Sequence, residues 1–293
     1  MTTAGGAAQT WTIDAVLKWA TDDFRARGID KPQLDAQVLL SHALSVNRTQ
    51  LIIDAKKPLA PDELRRFREM VTRRRAREPV AYLLGEREFY GRSFRVDKRV
   101  LIPRPDTETL VDVALLRTEA RSLSMRALDL CTGSGCVAVT LARQRPTARV
   151  HATDVSDDAL AVARDNALRL GAYNVSFTRG DLFEAVPASL APFDIVTANP
   201  PYIASAEVDT LERDIKDHEP RLALDGGGDG LAFVRRIVEG APAVLDAGGV
   251  LAIEIGAGEA DAAARLFEAR GFQRVTITRD YGRIERVVDG VWG

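Results

Sequence analysis

The hydrophobic pattern changes character partway along the chain. From Trp11 to about Arg77 apolar residues recur every three to four positions, the spacing of helices with one buried face. Ile13, Val16, Leu17 and Ala20 form a first stripe, with Thr10 or Thr12 placed to cap it. Leu34, Val38, Leu39 and Ala43 form a second, entered through Lys31-Pro32. A third helix starts at Pro61-Asp62-Glu63, with acids in its first turn, and directs Leu64, Phe67 and Val71 inward. It ends in Arg73-Arg74-Arg75-Ala76-Arg77, which is either favourable charge at a helix C-terminus or a surface for an acidic partner or RNA phosphates.

The stretch from Glu78 to Pro105 reads differently. Phe89 to Val96, with Gly91 at its turn, predicts a β-hairpin. In Val100-Leu101-Ile102-Pro103-Arg104-Pro105 two prolines hold Arg104 in an extended loop, and Asp106 is placed to cap a helix through Leu110, Val111, Val113, Ala114 and Leu115. From Arg126 strands and helices alternate, the pattern of a doubly wound, Rossmann-like α/β sheet. Strands are predicted at Ala127–Leu130, Arg149–Thr153, Val175–Phe177, Phe193–Ala198 and Gly249–Ile255. Helices are predicted at Leu231–Leu245 and Glu259–Arg270, and a closing hairpin near Val275–Thr278 and Ile284–Val288. The expected division is a disordered tail (1–10), a helical domain (11–78), a hairpin and linker (79–105) and an α/β domain (106–293).

Composition narrows the function. A net charge of −2 over 293 residues offers no global basic field for nucleic acid or a membrane surface. No apolar run approaches membrane-span length, and Met1 to Thr10 lacks the pattern of a signal peptide. Cys131 and Cys136 have neither zinc nor redox-pair spacing, and three scattered histidines offer no metal cluster. The expectation is a cytoplasmic, monomeric protein without a metal, a membrane contact or direct DNA binding.

Candidate chemistry lies where strands end. Asn199-Pro200-Pro201-Tyr202 follows a buried strand that two prolines stop. Pro200 keeps Asn199 extended, at the sheet edge where open α/β folds bind ligands. The Asn199 side-chain oxygen and the Pro200 carbonyl can accept from both hydrogens of a planar –NH2 group, with Tyr202 on its flat face. The bland alternative is a strand-ending turn with a surface tyrosine. Upstream, Cys131-Thr132-Gly133-Ser134-Gly135 joins a strand to a helix N-terminus, a site for a polar or anionic group. With Ala138 it formally matches G-x-G-x-x-A, a weak dinucleotide signal, and a purely structural turn remains open. Asp129 just before it would repel a pyrophosphate and attract an ammonium or sulfonium, which favours S-adenosylmethionine (SAM) over NAD. Asp154 ends the next strand, in reach of ribose hydroxyls. Asp181, with Leu182 or Phe183, can meet an adenine, although Leu182 and Phe183 suit core positions equally. The connection through Glu219-Pro220-Arg221-Leu222-Ala223-Leu224-Asp225 and a flexible Gly226-Gly227-Gly228 can cover the site as a lid.

Taken together, Pro79-Val80-Ala81-Tyr82-Leu83-Leu84-Gly85, Leu101-Ile102-Pro103-Arg104-Pro105-Asp106-Thr107-Glu108, Asp129 to Gly135, Asn199-Pro200-Pro201-Tyr202-Ile203, Glu219 to Leu224 and Glu285-Arg286-Val287-Val288 resemble the release-factor glutamine N5-methyltransferase (HemK/PrmC) family. The likeness spans nearly the whole chain from about Ile13. The NPPY element alone is shared with DNA adenine-N6 methyltransferases; joined to the Ile-Pro-Arg-Pro-Asp-Thr-Glu loop it is far more specific. The resemblance implies a small helical N-terminal domain that recognises the partner, and a seven-stranded class I SAM-dependent methyltransferase domain. It implies methylation of the glutamine side-chain amide in the Gly-Gly-Gln motif of class 1 peptide-chain release factors. Cys131 to Gly135 and Asp154 would hold SAM, and Asn199 to Tyr202 the glutamine. Cys131 stands where many members have glycine, and Leu182 where some carry an aromatic residue. Alternatives are a glutamine of a large-subunit ribosomal protein, an adenine in nucleic acid, or a non-enzymatic SAM-binding module.

Overall fold

The computed structural model describes residues 11–121 and 123–293; the expected disordered tail lies outside them. The chain divides into two compact units, one through Leu84 and one from Gly85.

The first unit is helical: α1 (Ile13–Ala26), α2 (Pro32–Leu44), α3 (Arg48–Ile53), α4 (Pro61–Arg75) and α5 (Val80–Leu84). Thr12 caps α1, its hydroxyl accepting from the Ala15 N–H. Val16, Ala20, Phe24, Leu39, Leu40, Phe67 and Val71 share the core. The second stripe is rotated from expectation: Leu34 is exposed, and Asp35, Ala36 and Leu40 face inward. Asp35 tolerates burial because Arg74 Nε donates to it at 2.8 Å. The basic run is consumed the same way. Arg73 pairs with Glu78, Arg75 grips Asp23 with two bonds, and Arg77 donates to the Arg27 carbonyl. Each of these arginines therefore has a partner within the helical unit.

The second unit opens with a hairpin, β1 (Glu86–Phe89) and β2 (Arg92–Arg95), then α6 (Glu108–Arg117). Asp106 does not cap α6: it sits in a 3₁₀ turn, Pro105–Thr107, and pairs with Arg286. The α/β part runs β3 (Arg126–Leu130), α7 (Cys136–Gln144), β4 (Arg149–Asp154), α8 (Asp157–Arg169), β5 (Val175–Arg179) and β6 (Phe193–Ala198). It continues with α9 (Ser205–Val208), α10 (Arg213–Lys216), α11 (Ala232–Gly240), β7 (Leu245–Glu254), α12 (Ala260–Arg270), β8 (Gln273–Arg279) and β9 (Glu285–Val291). The seven-stranded sheet has the order β5-β4-β3-β6-β7-β9-β8, with β3 to β7 mutually parallel and β9 antiparallel to both of its neighbours, β7 and β8. This is the Rossmann-like class I methyltransferase architecture.

Side chains that alternate along each strand build one core on each face. Ala127 and Ile195 face Leu110, Val139 and Leu141, while Leu128, Leu130, Val196 and Ala198 face Val234, Ile237 and Phe267. Every residue of β6 is buried, as a central parallel strand covered on both faces requires.

Candidate active site

The strand order reverses between β3 and β6, so their C-terminal ends open side by side. Ligands of open α/β sheets bind in the crevice at that reversal. Here it is a cleft enclosing about 1040 Å³ of empty space, its mouth included. Asp129, Cys131 to Ser134, Asp154, Asp181, Leu182, Asn199 and Pro201 line it, and Pro103, Arg104, Thr107, Pro220 and Leu222 stand among the loop residues that complete it. Four expected site residues lie outside its wall. Gly135 caps α7 with its back to α8, where an added Cβ would lie 3.1 Å from the Ala163 Cβ. Phe183 packs against Gly240 of α11, so of the two adenine candidates Leu182 faces the cleft. Pro200 is buried, and Tyr202 is half-buried.

The turn after β3 is held by acids. Asp154 accepts from the Gly133 N–H at 2.9 Å with one oxygen and from the Ser156 N–H at 2.9 Å with the other. Burial nevertheless raises its carboxyl above the usual range. Asp129 accepts from the hydroxyls of Thr132 (2.6 Å) and Thr197 (2.8 Å). Burial outweighs both bonds and pushes its carboxyl up to about 6. Cys131 sits in the left-handed region with φ 55°, a backbone that glycine adopts freely and another residue at a penalty of about 1 kcal/mol. Burial keeps both thiols protonated, Cys136 up to about 12. Asp181 is taken by Arg236 of α11 at 2.7 Å.

Asn199 leaves β6 with its side-chain nitrogen donating to Thr107 Oγ1 at 3.1 Å. Glu254, at the end of the neighbouring β7, is 1% exposed. Burial raises its carboxyl to about 7 against the opposing pull of the nearby Thr107 hydroxyl, Arg286 and the Asn199 amide, and its Oε2 makes no hydrogen bond. The Ile102–Thr107 loop is tied to the lid by Glu219, which accepts from the Ile102 N–H (3.1 Å) and Arg104 (2.6 Å). Two of the three glycines expected to be flexible, Gly226 and Gly227, are tied to the backbone just after NPPY instead. Gly226 N–H donates to the Ile203 carbonyl, Ile203 N–H to that of Leu224, and Ser205 N–H to that of Gly227. A Cβ at Gly226 would lie 2.7 Å from the Tyr202 Cα.

Sequence reasoning passed over Thr107, Asn166, Thr197 and Glu254. Asn166, wholly buried on α8, binds both backbone groups of Arg95 and the Ser134 carbonyl, fastening the hairpin to the turn. Glu254 carried a usable signal, an acid ending an apolar strand run, the same signal that marked Asp129.

These residues fit SAM. A Cβ built at Gly133 meets no protein atom, so the backbone there is open to a ligand lying close. Two carboxylates, Asp129 and Asp154, border a cleft that an ammonium or sulfonium can enter. Among the described residues no group of three or more His, Cys, Asp or Glu is arranged to hold a metal ion, and no helix is long and apolar enough to cross a membrane.

Comparison with known proteins agrees with this geometry. Residues 15–85 match the PrmC N-terminal domain and residues 105–228 the Methyltransferase small domain. The release factor glutamine methyltransferase of Geobacter sulfurreducens is 43% identical over 282 residues, covering 96% of this chain and 97% of the relative. That of Cereibacter sphaeroides is 44% identical, covering 93% and 95%. A crystal structure of a methyltransferase from Pyrococcus furiosus shares the fold at TM-score 0.53 and 19% identity, over 77% of this chain and 98% of that one. The chain belongs to the release factor glutamine methyltransferase family.

Proposed function

We propose that this enzyme transfers a methyl group from SAM to the side-chain amide nitrogen of the glutamine in the Gly-Gly-Gln motif of class 1 release factors. The observation that carries the reading is the meeting of Asn199 with the glycine turn in one cleft. SAM supplies a methyl group on a positively charged sulfur. Cys131 to Ser134, Asp154 and Leu182 hold the nucleoside end, and Asp129 supplies negative charge beside the turn. Asn199 Oδ1 accepts from an amide hydrogen of the glutamine and so aims a delocalised, weakly nucleophilic nitrogen. As the N–C bond forms and the S–C bond breaks, that nitrogen becomes acidic and gives its proton to solvent, so no strong base is required. Water exclusion by the 220–223 segment favours the transfer. The helical unit recognises the release factor, and the enzyme works as a cytoplasmic monomer.

Mass spectrometry of a release factor and a large-subunit ribosomal protein, each incubated with enzyme and SAM, tests the reading. One added methyl on the release-factor glutamine is expected. A methyl on the ribosomal protein alone transfers the assignment to that substrate. Asn199→Ala should abolish turnover while SAM binding survives; concurrent loss of both would make the residue structural.

A further inference from the structure

An asparagine aims a substrate nitrogen only if its carboxamide has the correct flip. With oxygen toward the cleft it accepts from the target –NH2; with nitrogen there, two donors face each other. Nothing in the NPPY motif decides between the two, because Pro200 and Pro201 offer no N–H and Tyr202 stands off the cleft wall.

Two residues from other segments carry the missing information. Thr107, 1% exposed at the end of the Pro105–Thr107 turn, receives a hydrogen bond from Asn199 Nδ2 at 3.1 Å. Glu254 stands beside the same amide because Ala198 and Ile253 are paired across β6 and β7, which makes Asn199 and Glu254 the next residues of two parallel strands. Its carboxylate lies near both the Thr107 hydroxyl and the Asn199 amide, and its buried Oε2 has no hydrogen-bond partner, so it stands as an acceptor that only a donor can satisfy. A carboxylate has no hydrogen to give, so a neighbour turned toward it can only donate. The threonine has one proton; given to Glu254, it leaves Oγ1 only able to accept, and Asn199 Nδ2 is the donor there. One amide hydrogen is then bound inward by Thr107, and the unpartnered Glu254 oxygen favours the same flip. The reverse flip would set the amide oxygen against a carboxylate and a hydroxyl oxygen that needs a donor.

We propose that Thr107 and Glu254 are positioning residues that hold the Asn199 carboxamide with its nitrogen inward and its oxygen toward the cleft. The inference rests on the reading of Asn199 as an acceptor for the substrate amide, and deepens it. The specificity of the site for a donor nitrogen is set by an acceptor relay behind it. Arg286 and Asp106 also face Glu254, and the relay needs the carboxylate form that Arg286 favours.

A pair of Thr107 variants and one Glu254 variant separate positioning from packing. Val matches Thr in shape without the hydroxyl, and Ser keeps the hydroxyl while losing the methyl. Thr107→Val should lower kcat about ten-fold, with KM for SAM and melting temperature nearly unchanged, while Thr107→Ser should keep kcat within about two-fold. A packing role predicts the opposite ranking, and that result overturns the proposal. Glu254→Gln is isosteric but brings an N–H that can hold the wrong flip; a folded variant with a kcat at least about ten-fold lower is expected, and one with full kcat overturns the proposal. Asn199→Ala, assayed alongside, separates the two claims. If it retains turnover, the acceptor reading itself fails. If it is inactive while Thr107→Val and Glu254→Gln are fully active, only the relay fails.

Discussion

Asp129→Asn tests the electrostatics of the cofactor end. Asp129 is 2% exposed, and burial raises its carboxyl from the ordinary 3.8 to about 6 despite the bonds from Thr132 and Thr197. The folded value lies above the unfolded one. The unfolded chain therefore releases this proton near pH 4, and the folded protein holds it until about pH 6. Stability from this group is fully present below pH 4, is lost as pH rises through that window, and stays lost above it. The whole shift corresponds to about 3 kcal/mol, of which about 1.4 kcal/mol is lost above pH 5. Asparagine carries no charge, so the variant escapes this loss. Urea unfolding of wild type and variant at pH 5 and pH 8 should move their stability difference in the variant's favour by about 1.4 kcal/mol. Comparing differences removes any constant offset from the rearranged threonine bonds. The same substitution should weaken SAM at pH 8, and the wild-type advantage in affinity should shrink below about pH 6 as Asp129 protonates. Parallel stability curves would show that Asp129 titrates as an ordinary carboxyl. Unchanged SAM affinity at pH 8 would show that its charge does not serve the cationic ligand.

The remaining predictions concern how the loops are held. Glu219→Ala leaves the Ile102 N–H and Arg104 without their carboxylate, and should lower stability by about 1–3 kcal/mol and raise KM for the release factor more than for SAM. Thermal melts and steady-state kinetics check both. Gly226→Ala places a methyl 2.7 Å from the Tyr202 Cα and 2.8 Å from the Pro201 carbonyl oxygen, so backbone must move next to Asn199. A fall in kcat of about 100-fold with SAM affinity retained is expected, since displacements of about 1 Å at a reacting centre have that effect. Asn166→Ala removes the partner of the Arg95 N–H and of the Arg95 and Ser134 carbonyls; it should destabilise by about 3 kcal/mol and weaken SAM, read by denaturation and calorimetry.

What could be read in the chain beforehand followed the range of the interactions. Strand and helix periodicity, the turn after β3 and the proline-stopped end of β6 are local, and they led to the fold and to the cleft between β3 and β6. Errors arose where a partner far along the chain decides. Asp35 turns inward, displacing Leu34, because Arg74 lies 39 residues away to neutralise it. Asp106 reads as a cap but is drawn to Arg286. Gly226 looks flexible in sequence, yet it is the residue whose missing side chain lets the lid segment lie against Tyr202. The same division runs through the active site itself. Asn199 was legible because prolines mark it, but its amide alone is symmetric enough to present either a donor or an acceptor. Its partner Thr107 lies 92 residues upstream, and Glu254 reaches it only through the β6–β7 register. Another protein with the same four motif residues, but no acceptor pair behind the asparagine, would lack a fixed carboxamide. The motif supplies the hydrogen-bonding atom, and the sheet register determines which atom that is.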